Sequence, residues 1–216
     1  MVIAIIPIKT NNQRLPGKNT KILGKHPLYY YMFSTIKDVC NIDKVCINSS
    51  DENILKISKN NNFNTLKRPI ELNSSKTSGH DLLNYEINNL KLDDDDIIVQ
   101  LFVTQPFIKT STIESAINLL KSNPSKTSVL SLFKVENRFW YNDKPISHNP
   151  KLLQGTQYQK PIYCEAGFYT FKVGAFKKEK SRVTKNFIKQ IVDPNECIDI
   201  DNKIDFNLAE VMLNEY

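Results

Sequence analysis

Lys9, Arg14, Lys18 and Lys21 stand in one polar stretch, IIPIKTNNQRLPGKNTK, which runs from Ile5 to Lys21 and leaves an apolar segment. Cations grouped in a loop that follows a strand can, with backbone N–H groups, hold a polyphosphate. Lys9, Arg14 and Lys18 converge if the Pro16-Gly17 turn folds the loop back, since Pro16 stiffens the turn and Gly17 permits positive φ or a close approach. The same charges also suit a solvated surface loop. Neither GxxxxGK[ST] nor GxGxxG occurs, so the stretch is not a P-loop or a dinucleotide fingerprint.

Near the other end, CIDIDNKIDFNLAE places Asp199 and Asp201 two residues apart. On the short strand expected for IDID, both carboxylates point to one face. Carboxylates that close repel, and a hard divalent cation keeps both ionised. Mg²⁺ held by these two groups and by substrate phosphates would let the loop cations and the metal share one triphosphate. The alternative is that one Asp caps the last helix while the other faces water.

The elements that must position these residues follow from periodicity. Val2 to Ile8 is a continuous apolar run, the pattern of a strand covered on both faces. HPLYYYMFSTIKDV has helical spacing after Pro27, KVCINSS is a second strand, and DENILKISKNN a second helix. IIVQLFV is a third strand, Ser111 to Lys121 a helix with Thr110 or Ser111 at its N-cap, and TSVLSLFKV a fourth strand. AGFYTFKV is a later strand and DFNLAEVML a final helix, while Asp81 begins a helix as a cap. Alternation of this kind predicts an α/β fold with a doubly wound, mainly parallel sheet and ligands beyond the carboxyl ends of its strands. Between residues 136 and 163 the period is lost, which marks an excursion serving as a substrate flap or a dimerisation arm.

With 216 residues and no compositional break, one domain spanning 1–216 is the simplest organisation. The net charge of +6 is spread along the chain, without a dense basic block or helix, which suits an anionic small molecule and argues against nucleic acid. Four cysteines without CxxC spacing, and an N-terminal run too short to span a bilayer, predict a reduced, cytoplasmic chain with no membrane partner.

IIPIKTNNQRLPGKNTKILGKHPL resembles the N-terminal signature of the cytidylyltransferases that activate sialic acids and related acidic sugars as CMP conjugates, a family that includes the KDO-activating enzymes. VCINSSDENI, LKRPIEL, TSGHDLL, TQPFIKTSTIESAINLL, AGFYTF and IDIDNKIDFNLAE are similar to its later segments, in order, from Val2 to Glu210. The resemblance implies a nucleotidyltransferase (Rossmann-like) fold, dependence on Mg²⁺ and a homodimer whose arm can reach the neighbouring site. It implies that CMP passes from CTP to the hydroxyl of an acidic acceptor, a sialic acid-like ulosonic acid, with loss of pyrophosphate. By position, Lys9, Arg14, Lys18, Asn19 and Arg68 would bind the nucleotide, with Lys9, Lys18 and Asp201 acting in catalysis. Asp199 and Asp201 would hold the metal, and Gln157 would lie near the sugar.

The chain departs from the family pattern at Lys9, where relatives usually carry Arg, at Phe102, where they carry Gln, and at Lys76, which replaces an acid. Lysine holds phosphate as a point charge without the guanidinium fork. These departures leave open transfer to a different small acid such as a phosphonate, or a nucleotide-binding protein without turnover.

Overall fold

The run Val2–Pro7 forms strand β1 at the middle of the molecule, with Val2 to Ile6 buried. A computed structural model describes residues 1–74, 76–152 and 154–215. Six further strands join β1: β2 (Lys44–Ser49), β3 (Asn64–Lys67), β4 (Ile97–Gln100), β5 (Ser128–Val135), β6 (Ile162–Lys172) and β7 (Phe187–Ile191). Their order in the sheet is β7-β5-β6-β4-β1-β2-β3. β6 alone runs antiparallel, paired with β4 on one side and β5 on the other, and the remaining ladders are parallel. The expected mainly parallel α/β sheet is therefore present.

Alternate residues of β1 feed two cores. Val2, Ala4 and Ile6 pack with Met32 and Phe33 of α1 (Leu28–Lys37), Ile54 of α2 (Glu52–Asn60), and Ile113 and Ile117 of α4 (Thr110–Lys121). Ile3 and Ile5 pack on the other face with Leu83 and Ile87 of α3 (Gly79–Asn89) and Phe176 of α5 (Val173–Glu179). Helices thus cover both faces, as buried parallel strands require. A third cluster joins Leu15, Leu23 and Leu28 to Ile200 and to Phe206 and Ala209 of α6 (Lys203–Glu215). This cluster docks the last helix against the loop that leaves β1.

Several local expectations are corrected. IDID is not a strand: it is extended chain after a short 3₁₀ turn, held by the Ile200 N–H donating to the Thr104 carbonyl at 2.8 Å. The third strand stops at Gln100, where the chain turns through 102–105 instead of continuing to Val103. Lys109, not Thr110 or Ser111, occupies the N-cap of α4; lysine has no acceptor to cap with, and the Glu196 carboxylate accepts the Lys109 N–H and the Thr112 hydroxyl instead. Asp81 is the third residue of α3 and completes a capping box with Ser78, the actual cap.

Residues 136–161 do leave the sheet. Trp140–Tyr141 pairs with Lys144–Pro145 in a small ribbon. Its turn has positive φ at Asn142 and Asp143, the geometry of a tight hairpin.

Candidate functional site

The loop after β1 folds back as the Pro16-Gly17 pair requires. Gly17 has φ +64°, and Lys18–Thr20 form one 3₁₀ turn. Asn19 is buried and its amide donates to the Lys9 carbonyl at 2.6 Å, which ties the two ends of the loop together. Lys9, Arg14 and Lys18 then line a cleft of about 180 Å³ whose opposite wall is Asp201. Lys18 Nζ lies 3.0 Å from one Asp201 oxygen and Arg14 Nη2 2.8 Å from the other. Segments 183 positions apart therefore meet in one cleft. Asp201 is set in place from behind, since Asn202 caps α6 by accepting the N–H groups of Ile204 and Asp205, and Asp205 reaches back to accept those of Asp201 and Asn202. The capping role thus falls to Asn202, with Asp205 closing the capping box, and Asp201 faces the cations. Lys21, the fourth cation of the stretch, lies over the Phe206 ring instead.

The two aspartates differ electrically. Crowding by protein pushes the Asp201 carboxyl up, but the Lys18 and Arg14 charges outweigh it and hold the group below the usual carboxylate range. At Asp199 crowding wins, opposed by the Thr104 hydroxyl and reinforced by the Asp201 and Asp205 charges, so its carboxyl is raised. Asp199 as a whole is nonetheless exposed to solvent. Hard oxygen donors, one of them raised in part by its acidic neighbours, suit a hard divalent cation that draws its remaining ligands from phosphate and water. No group of three or more metal-ligating side chains exists among the described residues.

Residues 3–206 match the family described as Cytidylyltransferase. The chain belongs to that family. It is 24% identical over 226 residues to a Helicobacter pylori protein, "Pseudaminic acid cytidylyltransferase and UDP-2,4-diacetamido-2,4,6-trideoxy-beta-L-altropyranose hydrolase", a match covering 99% of this chain and 43% of that one. It is 28% identical over 117 residues to the "3-deoxy-manno-octulosonate cytidylyltransferase 2" of Hydrogenovibrio crunogenus, covering 54% and 46%. The matches thus span about half the length of these curated relatives. Among solved structures, "CMP:2-keto-3-deoxy-manno-octonic acid synthetase complexed with CTP" superposes with a TM-score of 0.72 at 13% identity, covering 99% of this chain and 98% of that one. The 4-diphosphocytidyl-2C-methyl-D-erythritol synthase of Anaerococcus prevotii gives 0.69 at 16%, covering 99% and 96%. Both share the fold.

In this cytidylyltransferase-family chain Arg68 and Gln157, the other two side chains expected at the site, do not line the cation cleft. Arg68 is buried behind the end of β2, where its Nε donates to the Asn48 side chain at 2.8 Å and its Nη2 to the Asn48 carbonyl at 3.2 Å. Gln157 is exposed on a 3₁₀ turn of the 136–163 excursion and does not line the cleft. His80 contacts the Lys180 carbonyl and stacks on Phe176, so it anchors α3 to α5.

Glu86, which carries no sequence motif, is fully buried beside Arg68 and the Asn48 amide. Burial pushes its carboxyl from 4.5 up to about 8, against the pull of the Arg68 charge. A raised acid binds its proton more tightly when folded. Its contribution to stability is therefore complete below about pH 4.5, and falls as pH rises toward about 8. Wild-type unfolding free energy should drop by a few kcal/mol, on the order of 1.4 per pH unit, across that window. Glu86→Gln should flatten this slope in urea titrations at a series of pH values; an equal slope in both proteins would count against a raised Glu86.

One grouping left no signature in the sequence. Arg182, in the featureless segment EKSRVTK, reaches Gln100 at the end of β4 and covers the Tyr169 ring of β6. Only the pairing of β6 with β4 brings these residues together.

Proposed function

We propose that the chain is a Mg²⁺-dependent, CTP-dependent nucleotidyltransferase that passes CMP to the hydroxyl of an acidic sugar of the ulosonic acid type, with release of pyrophosphate. The observation that carries this reading is the shared cleft of Lys9, Arg14, Lys18 and Asp201. The printed activities of the relatives, on octulosonate and pseudaminic acid, point the same way.

On this reading Arg14 and Lys18, which rest on Asp201 in the structure, turn to the β- and γ-phosphates of CTP, and Lys9 joins them. They neutralise charge that builds on the departing pyrophosphate, so catalysis is chiefly positioning and electrostatics. Once released from these cations, Asp201 is free to hold Mg²⁺ together with Asp199. Bound there, the metal would supply Lewis-acid activation of the acceptor hydroxyl. Asn19 serves by fixing the loop through Lys9. On this reading the reaction is cytoplasmic.

The 136–163 excursion exposes Trp140, Tyr141, Ile146 and Tyr158, an apolar surface that fits a homodimer arm. A second acceptor class, small acids such as phosphonates, is favoured by Phe102, whose ring meets Tyr169 edge-on at 6.5 Å where relatives carry a polar Gln.

The deciding experiment offers each of the four nucleoside triphosphates with Mg²⁺ to a panel of ulosonic acids and phosphonates and follows pyrophosphate. Release with CTP and an ulosonic acid is expected. None with any ulosonic acid ends the primary reading, and release with phosphonates alone transfers it to the second. Light scattering on the same sample reads the assembly, and a mass of 24.9 kDa would remove the dimer.

A further inference from the structure

Arg182 is a half-buried guanidinium without a carboxylate. Its central carbon lies 3.8 Å from the Tyr169 ring centroid and its Nη1 donates to Gln100 Oε1 at 2.8 Å. Gln100 is 2% exposed and belongs to the central strand β4, so the partner that aims Arg182 is rigid. Among the described residues Arg182 makes no ion pair, and that single bond to a neutral amide is its one side-chain hydrogen bond. A guanidinium has five N–H donors in a planar fork. Most of that fork is unspent.

Taking a cation partly out of water without a counter-charge is costly, and stacking on a tyrosine ring recovers only part of the cost. An arrangement of this kind is made whole by an anionic ligand, and the flat fork fits a carboxylate through two parallel bonds. The two nearby acids do not fill that place. Glu165 is engaged by the Tyr169 hydroxyl at 2.6 Å, and Asp199 makes no ion pair with Arg182.

The position is that of an acceptor. Gln100 ends β4, and the chain following it carries Thr104, whose carbonyl holds the Asp199–Asp201 segment through Ile200. Tyr169 pairs with Gln100 across the β6–β4 ladder, so the ring under Arg182 sits at the same end of the sheet. Arg182 thus sits at the end of β4, one short loop from the Thr104–Ile200 contact that holds the acidic segment, while Lys18 and Arg14 of the β1 loop meet Asp201. Phosphates have their own cations on the loop side, which leaves Arg182 for the second substrate.

We propose that Arg182, stacked on Tyr169 and aimed by Gln100, binds the carboxylate of the acidic acceptor. The proposal rests on the function inferred above. It assigns acid recognition to the sheet end, in place of Gln157 on the exposed excursion.

The test uses Arg182→Gln and Arg182→Lys in the full chain, with 3-deoxy-manno-octulosonate and its C1 amide as probes. Loss of a charge-assisted pair should raise KM for the acid by roughly 10- to 100-fold in Arg182→Gln, with KM for CTP within about threefold of wild type. Arg182→Lys keeps the charge without the fork and should fall between. Wild type should strongly prefer the acid to its amide, and Arg182→Gln should not. An unmoved acceptor KM in Arg182→Gln of wild-type melting temperature, or a CTP KM that rises in step, overturns the assignment. If wild type turns over none of the acids, the functional reading fails and calorimetry with the octulosonate decides the subsite alone. Binding lost in Arg182→Gln supports it; no binding by wild type, or equal binding by both proteins, overturns it.

Discussion

Asp201→Ala should lower kcat by roughly 10²- to 10³-fold, the scale of removing one electrostatic stabiliser from a preorganised site. Two effects combine. The variant loses a carboxylate proposed to hold the metal, and it leaves Lys18, 6% exposed and already without its water, with no anion in the free protein. The second effect costs stability. Asp201 itself is 35% exposed at its side chain, so the loss should be about 1–3 kcal/mol, less than for a fully buried pair. Asp201→Asn separates the two, because it keeps the shape and one acceptor for Lys18 while giving up the charge. Measured side by side, Asn should recover much of the melting temperature and little of the turnover. Wild-type kcat in Asp201→Ala would remove the carboxylate from the reaction, and a melting temperature equal to wild type would mean that Lys18 finds another partner.

Gly167→Ala should cost about 2–4 kcal/mol, the largest stability effect expected from a single methyl group in this chain. Gly167 sits in β6 with φ +80°, inside the irregular pairing between Glu165 and Tyr169. A Cβ there would overlap the Gln105 amide, which is 2% exposed and donates to the Ala166 carbonyl at 2.5 Å. The left-handed backbone and the displaced amide both count against the alanine. Adding Gln105→Ala should recover the steric share and leave the backbone share, so the double variant tests the partition in urea unfolding. A single-variant loss within about 0.5 kcal/mol, the range of neutral surface changes, would show that the turn relaxes freely. The same turn carries Tyr169 to its place under Arg182, so damage here should also reach acceptor binding.

Central elements were legible in the sequence and edge elements were not. β1 and β2 read clearly because strands covered on both faces are continuously apolar, and α2 read clearly because its apolar residues recur on one face, where Ile54 and Leu55 are buried. β3 and β7 went unread. They are the two ends of the sheet, with one face less buried and sequences such as NTLK that lack an apolar run. α5 is short and carries Gly174 close to Asp94, a packing reason that no periodicity reveals.

For the candidate site, residue types and spacing announced the loop cations and the acidic pair, but could not say that they meet. The resemblance supplied that expectation and the hydrophobic joint of Leu15, Ile200 and Phe206 is its physical basis. Burial of Arg68 behind Asn48 was invisible for a similar reason, since it depends on β3 lying beside β2. Arg182 acquires its surroundings only through the antiparallel insertion of β6 between β4 and β5, and strand direction leaves no mark in a single sequence.

The separation of Lys18 from Asp201 also has a meaning for biosynthesis. During translation the lysine leaves the ribosome 183 residues ahead of its counter-ion, and the joint that docks the final helix cannot close any sooner. A nascent chain can complete much of its sheet before the cleft exists, so the proposed nucleotide site assembles only once the joint of Leu15, Ile200 and Phe206 has closed.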